Sequence, residues 1–376
     1  MTKTSLFSSE SYVEFVHEEA QEMAHMGTSI ALLLLMIFLS ASISTAQNFK
    51  CNSTAKCRAL VGYPSPNTTS IGNIQTLFNI KNLRTILAAN DLPASTQKNY
   101  TIQAQQVVKI PIPCVCSNNT GVSNKMPVYN IKKDDGLWHI AVEVFRGLVT
   151  QDRLQAANNI SNSNVIIEGQ NLTIPLPCSC DSVNNQKVVH YAHVVAKGST
   201  LESIAQQFGT DKDTLVQLNG IDDSKLLADS AIDVPLQACS SSIRPESLDS
   251  SLVVANGTSV FTANNCVKCK CGAANKFTLQ CEPTNLKLPN NVTCPSMACD
   301  GSDSLTLGNT TTSGCSQTTC AYAGYASNQT IFTTLNTTST CPAPAPNSNN
   351  ASRIVLNSNF FIISIHLVLL YLYLCH

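Results

Sequence analysis

The chain is 376 residues long with a net charge of −1, enough for two or three domains and with no long-range field to draw nucleic acid or an acidic surface. Only 12% of residues are charged, about half the ~25% of an ordinary soluble domain, and Asn, Ser and Thr supply the missing polarity. Seventeen cysteines, sixteen of them between Cys51 and Cys341, exclude a reducing compartment and imply a disulfide framework.

In chain order, Ile30–Leu39 is a ten-residue apolar core, too short to span a bilayer, followed by small residues before a cleavage point after Ala46. Residues 1–46 therefore read as a signal peptide, although Glu18, Glu19 and Glu22 make its start acidic; initiation at Met23 or Met26 would remove them. The first unit, 51–116, opens with Cys51 and Cys57. It then places Leu77, Phe78, Leu83, Ile86 and Leu87 at near-helical spacing and closes on IPIPC, with Pro64 and Pro66 degrading its opening strand and turn. In the second unit, 128–180, Val128–Ile131 alternates like a strand and the turn runs from Lys132 to Gly136. Leu137, Ile140, Ala141 and Val144 then mark one helix, Leu154 and Ala157 a second, and Asn171–Leu176 the closing strand. The third unit, 191–239, repeats the order, with the turn Lys197–Thr200 followed by Leu201, Ile204, Ala205 and Phe208, and then by Leu215 and Leu218.

The closings IPIPC, IPLPC and VPLQAC end at Cys114, Cys178 and Cys239, a repeat period near 60 residues. The fold class predicted is α+β: three small βααβ units cross-linked by disulfides, followed by a Cys-rich, loop-rich module at 240–341. Two units end in Cys-x-Cys, whose thiols cannot bridge each other comfortably and must reach different partners. The last module holds nine cysteines between Cys266 and Cys341 and few large apolar groups, so its order must come mainly from bridges. Cys266, Cys269 and Cys271 lack a nearby histidine, and in an oxidising compartment they read as disulfide partners; neither metal nor cofactor is expected. Residues 342–350 form a stiff Ala-Pro stalk. Residues 351–376 include a sixteen-residue apolar tail, Phe360–Cys375, with no Lys or Arg stop-transfer residues after it. This is the layout of a removed GPI-anchor propeptide with Asn350 as the ω residue and Ser348 second; the alternative is a short transmembrane helix. Sequons stand at Asn52, Asn67, Asn99, Asn118, Asn159, Asn171, Asn256, Asn291, Asn309, Asn328, Asn336 and Asn350, as suits a secreted glycoprotein.

Tyr129-x-Ile131, Asp135-Gly136-Leu137, Ile140-Ala141, Ala157-Asn158-Asn159-Ile160 and Gly169-Gln170-x-Leu172-x-Ile174-Pro175 together resemble the LysM domain. Three such units with Cys-x-Cys pairs, a Cys-rich region and an anchor signal resemble the plant LysM receptor-like proteins of the chitin elicitor-binding group. Asp134 stands where that pattern has Gly, and Gly136 where it has Thr. The resemblance implies bridges Cys51–Cys116, Cys57–Cys180 and Cys114–Cys178. It implies a neutral ligand, a chitin oligosaccharide, lying against Lys133, Asp134, Asp135, Gly136 and Leu137 and against Ile160, Ser161, Asn162, Ser163, Asn164 and Val165. Leu137 and Ile160 are the expected apolar contacts. It also implies a place on the extracellular face of the plasma membrane, held by the lipid anchor only. The expected partners are a transmembrane LysM receptor kinase and a second copy of this chain bridged by ligand.

Other functions compete with this reading. An enzyme needs two carboxylates placed across a cleft, whereas Asp134 and Asp135 are neighbours on one tight turn, and His139, His190 and His193 have no recognisable nucleophile; no catalytic residue is expected. A peptidoglycan-binding receptor and a wall-associated structural glycoprotein remain as alternatives.

Overall fold

The computed structural model describes residues 49–162, 165–284, 286, 293–327 and 330–341. The signal peptide, the stalk, the anchor signal with Asn350, the loop residues Ser163 and Asn164, and the sequons Asn291 and Asn328 lie outside the described residues.

The first unit contributes β1 (Lys56–Pro64), β2 (Thr69–Ser70), α1 (Ile71–Leu77), α2 (Leu83–Ala89), β3 (Thr101–Ile102) and β4 (Val107–Ser117), and β5 (Thr120–Ser123) follows. Its opening strand is longer than the prolines suggested. β1 starts at Lys56, inside the cysteine lead, and pairs antiparallel with β4 from Lys56↔Val115 to Pro64↔Val107, so Pro64 ends the strand and does not break it. Along β4 the apolar side chains alternate inward: Val108, Ile110, Ile112, Cys114 and Cys116 are buried. The third unit contributes β8 (Val188–Val194), α5 (Leu201–Phe208), α6 (Lys212–Asn219) and β9 (Ala231–Gln237). β8 pairs parallel with β1 at Leu60↔Tyr191 and Val61↔Ala192, giving one sheet of order β5-β4-β1-β8-β9 across both units. The approach needs Gly62, because a Cβ there would lie 2.0 Å from the Tyr191 hydroxyl.

The second unit keeps its own two-stranded ladder, β6 (Val128–Asn130) with β7 (Asn171–Thr173). Its helices are α3 (Leu137–His139, running on as the π turn Ile140–Val144) and α4 (Gln151–Ala157). The 3.6-residue spacing predicts a regular first helix; instead the Phe145 N–H donates to the Ile140 carbonyl at 2.9 Å, one residue further back than in an α-helix. Phe145 is fully buried, edge-on to Phe78 of the first unit (5.8 Å) and to Tyr129 (5.9 Å), while the Tyr63 hydroxyl donates to the Val144 carbonyl at 3.1 Å. Units one and two therefore share a core, as units one and three share a sheet. Arg146 reaches Asp229 of the third unit at 3.8 Å.

One interaction recurs in all three units. Asn90 donates its side-chain amide to the carbonyls of Ile86 (2.8 Å) and Lys109 (2.8 Å) and accepts from the Lys109 N–H (2.9 Å). Asn158 does the same with Leu154 (2.8 Å), the Thr173 carbonyl (2.9 Å) and the Thr173 N–H (2.8 Å). Asn219 repeats it with Leu215 (2.9 Å), the Asp233 carbonyl (2.9 Å) and the Asp233 N–H (2.7 Å). Each asparagine thus closes a second helix and fastens it to the closing strand. Each is followed by a left-handed residue, Asp91 (φ 53), Asn159 (φ 54) or Gly220 (φ 63), that turns the chain into its next loop.

The bridges of the three units are Cys51–Cys116, Cys57–Cys180 and Cys114–Cys178, so the two thiols of each Cys-x-Cys go to different partners. The third unit is joined to the Cys-rich module by Cys239–Cys271, and the module holds Cys266–Cys294, Cys269–Cys281, Cys299–Cys320 and Cys315–Cys341. The module's order takes the form of two three-stranded meanders, β10 (Thr258–Thr262), β11 (Val267–Cys271) and β12 (Gln280–Pro283), then β13 (Thr310–Ser313), β14 (Ser316–Tyr325) and β15 (Ile331–Ser339). Half-cystines Cys266, Cys269, Cys271 and Cys281 stand in its core beside Val267, Leu279 and Tyr322. The first meander docks on α2. The Ser259 hydroxyl donates to the Ala88 carbonyl (2.8 Å), and Lys270 (2.7 Å) and Lys268 (3.5 Å) both reach Asp91, whose carboxyl the Lys270 hydrogen bond holds below its ordinary range.

Two histidines of β8 face opposite ways. His190 bonds Asp233 (2.8 Å) and the Asp181 carbonyl (2.8 Å); burial pulls its pKa down, but the Asp233 charge and these hydrogen bonds outweigh it and the pKa is raised. His193 lies against Tyr191 and Phe208, and burial alone pushes it down to about 4.

Two outcomes are expected. Asn158→Ala removes three hydrogen bonds and strands the Thr173 backbone, so denaturant unfolding should show a loss of about 3 kcal/mol. The stabilisation from His190 is complete below its unfolded pKa of ~6.5 and fades as pH rises through the raised folded value; that from His193 is complete above ~6.5 and is lost as pH falls towards about 4. Urea midpoints against pH should therefore lose their acid-side fall in His193→Phe and their alkaline-side fall in His190→Gln.

Candidate functional site

The turn between β6 and α3 is built around one carboxylate. Asp135 accepts from the Lys132 N–H (2.8 Å) and from the Tyr129 hydroxyl (2.9 Å), and its other oxygen lies 3.5 Å from His139, which also meets Glu143 at 2.9 Å. Its side chain is only 6% exposed. Burial, followed by the Asp135 hydrogen bond and charge, raises the Tyr129 hydroxyl well above its ordinary pKa. Asp134 sits at φ 66, the left-handed position that Gly198 (φ 83) takes in the third unit. Its side chain is exposed, as is that of Lys133.

The second loop returns to the same end of the unit. The Gly169 N–H donates to the Ile131 carbonyl (2.8 Å), the Ile131 N–H to the Gln170 carbonyl (2.9 Å), and the Asn130 amide to the Gly169 carbonyl (2.8 Å). The start of the turn and the end of the loop are thus tied across the ladder. Ser161, Asn162 and Val165 are exposed and Ile160 is half-buried against the core; Ser163 and Asn164 lie outside the described residues.

Two expectations need correction. Leu137 is 2% exposed and belongs to the core, so its side chain offers no apolar contact to a ligand. The Asp135 carboxylate is consumed inside the turn. The apolar surface at this end comes from Trp138 (57% exposed), Val165 (63%) and Ile167 (67%). Trp138 is the sole tryptophan of the chain and follows the turn by two residues, a signal that sequence reading passes over because helical spacing assigns the apolar face to Leu137 and Ile140.

The three units differ at the start of the first helix. In unit one the Ile71 and Gly72 N–H groups donate to the Tyr100 and Lys98 carbonyls of the second loop, and Ser70 caps Asn73. In unit three Thr200 and Ser203 cap each other, and Asp223 of the second loop accepts from the Leu201 N–H at 2.8 Å. In unit two the cap position is Gly136, which has no side chain. Among the described residues nothing accepts from the N–H groups of Leu137 or Trp138. Units one and three bridge turn and loop with their own groups, whereas in unit two no described residue of the loop accepts from the start of the helix. Asn159, exposed and left-handed, stands at the foot of this loop, and Asn171 at the start of β7 accepts from Asn130 at 3.1 Å.

The LysM domain model matches residues 129–175 and 193–235. "LysM domain-containing GPI-anchored protein 2" of Arabidopsis thaliana is 51% identical over 90% of this chain and 95% of its own length. "Chitin elicitor-binding protein" of Oryza sativa subsp. japonica is 38% identical over 87% and 92%. "Chitin elicitor receptor kinase 1" of Physcomitrium patens is 27% identical over 57% of this chain but only 33% of its own length.

Asp134→Gly exchanges left-handed strain of about 1 kcal/mol for a more flexible unfolded chain and should raise the melting temperature slightly or leave it unchanged. Asp135→Ala strands the Tyr129 hydroxyl and the Lys132 N–H and should cost about 2 kcal/mol. Thermal melts of both variants check the pair: a large loss in Asp134→Gly, or none in Asp135→Ala, would contradict the roles given to the two carboxylates.

Proposed function

The chain belongs to the family of plant LysM domain-containing GPI-anchored proteins, and from that premise we propose that it is a cell-surface pattern-recognition receptor whose middle unit binds N-acetylglucosamine oligomers. Its place is the extracellular face of the plasma membrane. Among the described residues no helix is long and apolar enough to cross a membrane.

The observation that carries the reading is the uncapped start of α3, set between two loops that the Ile131–Gly169 ladder brings together. The Leu137 and Trp138 N–H groups donate to an acetamide carbonyl, Ser161 and Asn162 meet ring hydroxyls, and Trp138, Val165 and Ile167 shelter acetyl methyl groups. Lys133, Asp134 and the backbone of Asp135 and Gly136 form one rim; Ile160 supports the other from below. A neutral sugar needs no more charge than this end of the unit offers. The rice relative's name supports the same ligand class. Catalysis has no place in this reading, because the Asp135 carboxylate is turned inward and Asp134 then has no partner across a glycosidic bond.

Signalling follows from assembly. An oligomer long enough to cross two grooves links this chain to a transmembrane kinase with LysM units of its own, or to a second copy, and weak single contacts gain from effective concentration. The moss relative, of which this chain matches a third, supports a partner of that kind.

Calorimetry on the secreted ectodomain should show binding to chitin octamer, weakened roughly tenfold in Trp138→Ala with the melting temperature unchanged. Leu137→Ala should instead unfold the unit. A chitin trimer should occupy the groove yet assemble no complex, so equal assembly by trimer and octamer would count against bridging. Stronger binding to peptidoglycan fragments would reassign the ligand, and binding to neither would sink the receptor reading.

A further inference from the structure

The two meanders of the Cys-rich module face each other in an unusual way. In β11, Val267, Cys269 and Cys271 point into the core and Lys268 and Lys270 point out; in β12, Cys281 points in while Gln280 and Glu282 point out. In the second meander Cys320, Tyr322 and Thr333 are buried on one face, and Gln317, Thr319, Asn336 and Thr338 occupy the other. Stacked sheets normally meet through apolar faces. Here the two polar faces flank a groove of ≈ 630 Å³, a size typical of ligand sites. Gly308 is at its floor, where a Cβ would lie 2.9 Å from the Cys281 carbonyl oxygen.

The groove is not a free cationic site, because Lys268 and Lys270 are both drawn to Asp91. The other charged lining residues, Lys276 and Glu282, contribute one charge of each sign, and the rest of the polar lining is amides and hydroxyls, which complement a neutral, polyhydroxylated chain. One wall carries the means to attach such a chain. Asn336-Thr337-Thr338 is a sequon lying along β15, and residues two apart in a strand share a face, so both Asn336 and Thr338 line the groove. The Asn336 amide makes no hydrogen bond among the described residues, and no other sequon asparagine among them lines this space.

We propose that the groove is the seat of the chain's own N-glycan at Asn336, whose first sugars lie between the two meanders and fix the angle between them. Covalent attachment makes the encounter intramolecular, so modest contacts suffice to keep the glycan seated. The glycan then acts as an internal strut, unlike glycans at Asn67 or Asn99, which stand on exposed loops.

The test is native-state digestion of the ectodomain, secreted from a eukaryotic host, with a peptide N-glycosidase, followed by mass spectrometry of each sequon. Asn336 should be occupied and released roughly tenfold more slowly than Asn67 or Asn99, as befits a group freed only by local opening. Gln280→Ala, on the opposite wall, should leave Asn336 occupancy unchanged and speed its release towards the rate at Asn99. Thr338→Ala, which removes the sequon and keeps the asparagine, should lower the melting temperature, whereas Asn99→Gln should not. An unoccupied Asn336, release as fast as at Asn99 in the native protein, or an unchanged rate in Gln280→Ala would each overturn the proposal.

Discussion

β1 is hydrogen-bonded along both edges, and each edge belongs to a different unit. On one side it runs in register with β4 through the whole of its length; on the other it takes β8 in parallel at Leu60 and Val61. A parallel pair of strands far apart in sequence closes late and at high entropic cost unless something else holds the ends. Cys57, near the start of β1, is bridged to Cys180, in the segment that leads from the second unit to β8 at Val188. The cystine and the ladder therefore restrain the same separation. The middle unit has only a three-residue ladder of its own and depends on this arrangement through Phe78, Phe145 and Tyr63.

Much of this was legible in the sequence because it is local. The closing prolines and cysteines announced a period, and the apolar spacing located the helices of the second and third units, whereas in the first it ran from Leu77 to Leu87 across the break between α1 and α2. Two kinds of feature were not legible. The π turn depends on where Phe145 finds space against another unit, which no local pattern encodes, and the β1–β8 pairing joins strands whose sequences only need to be apolar and small enough at Gly62. The asparagines at 90, 158 and 219 were visible as a repeated letter, but their task appears only when helix and strand are brought together. Alternation in the Thr-rich strands of the last module was masked by its exposed face, which reads as loop composition.

The site follows the same logic at smaller scale. Asp134 and Gly136 depart from the pattern that the resemblance supplied, and the second departure is informative. A threonine at 136 would cap its own helix, as Thr200 does; glycine leaves that task undone. Unit one has its second loop folded onto its helix, and its Asp91 is held by two lysines of the Cys-rich module. Of three similar units, the one whose helix-start donors find no acceptor among the described residues is the one tied to unit one by two cystines and an aromatic cluster, and to unit three by Arg146 and Asp229.

Asn219 precedes Gly220, the pair in which a loose chain most readily closes a cyclic imide by attack of the following backbone nitrogen on the side-chain amide carbon. In the folded unit that nitrogen donates to the Val216 carbonyl at 2.8 Å, and the amide is held on three sides. The contact that sets the loop thus also shields the molecule from chemical ageing. A copy that opens long enough to react returns with an acid where two carbonyls require a donor. The three hydrogen bonds that fasten helix to strand therefore also hold this Asn-Gly pair away from the geometry in which the ring closes.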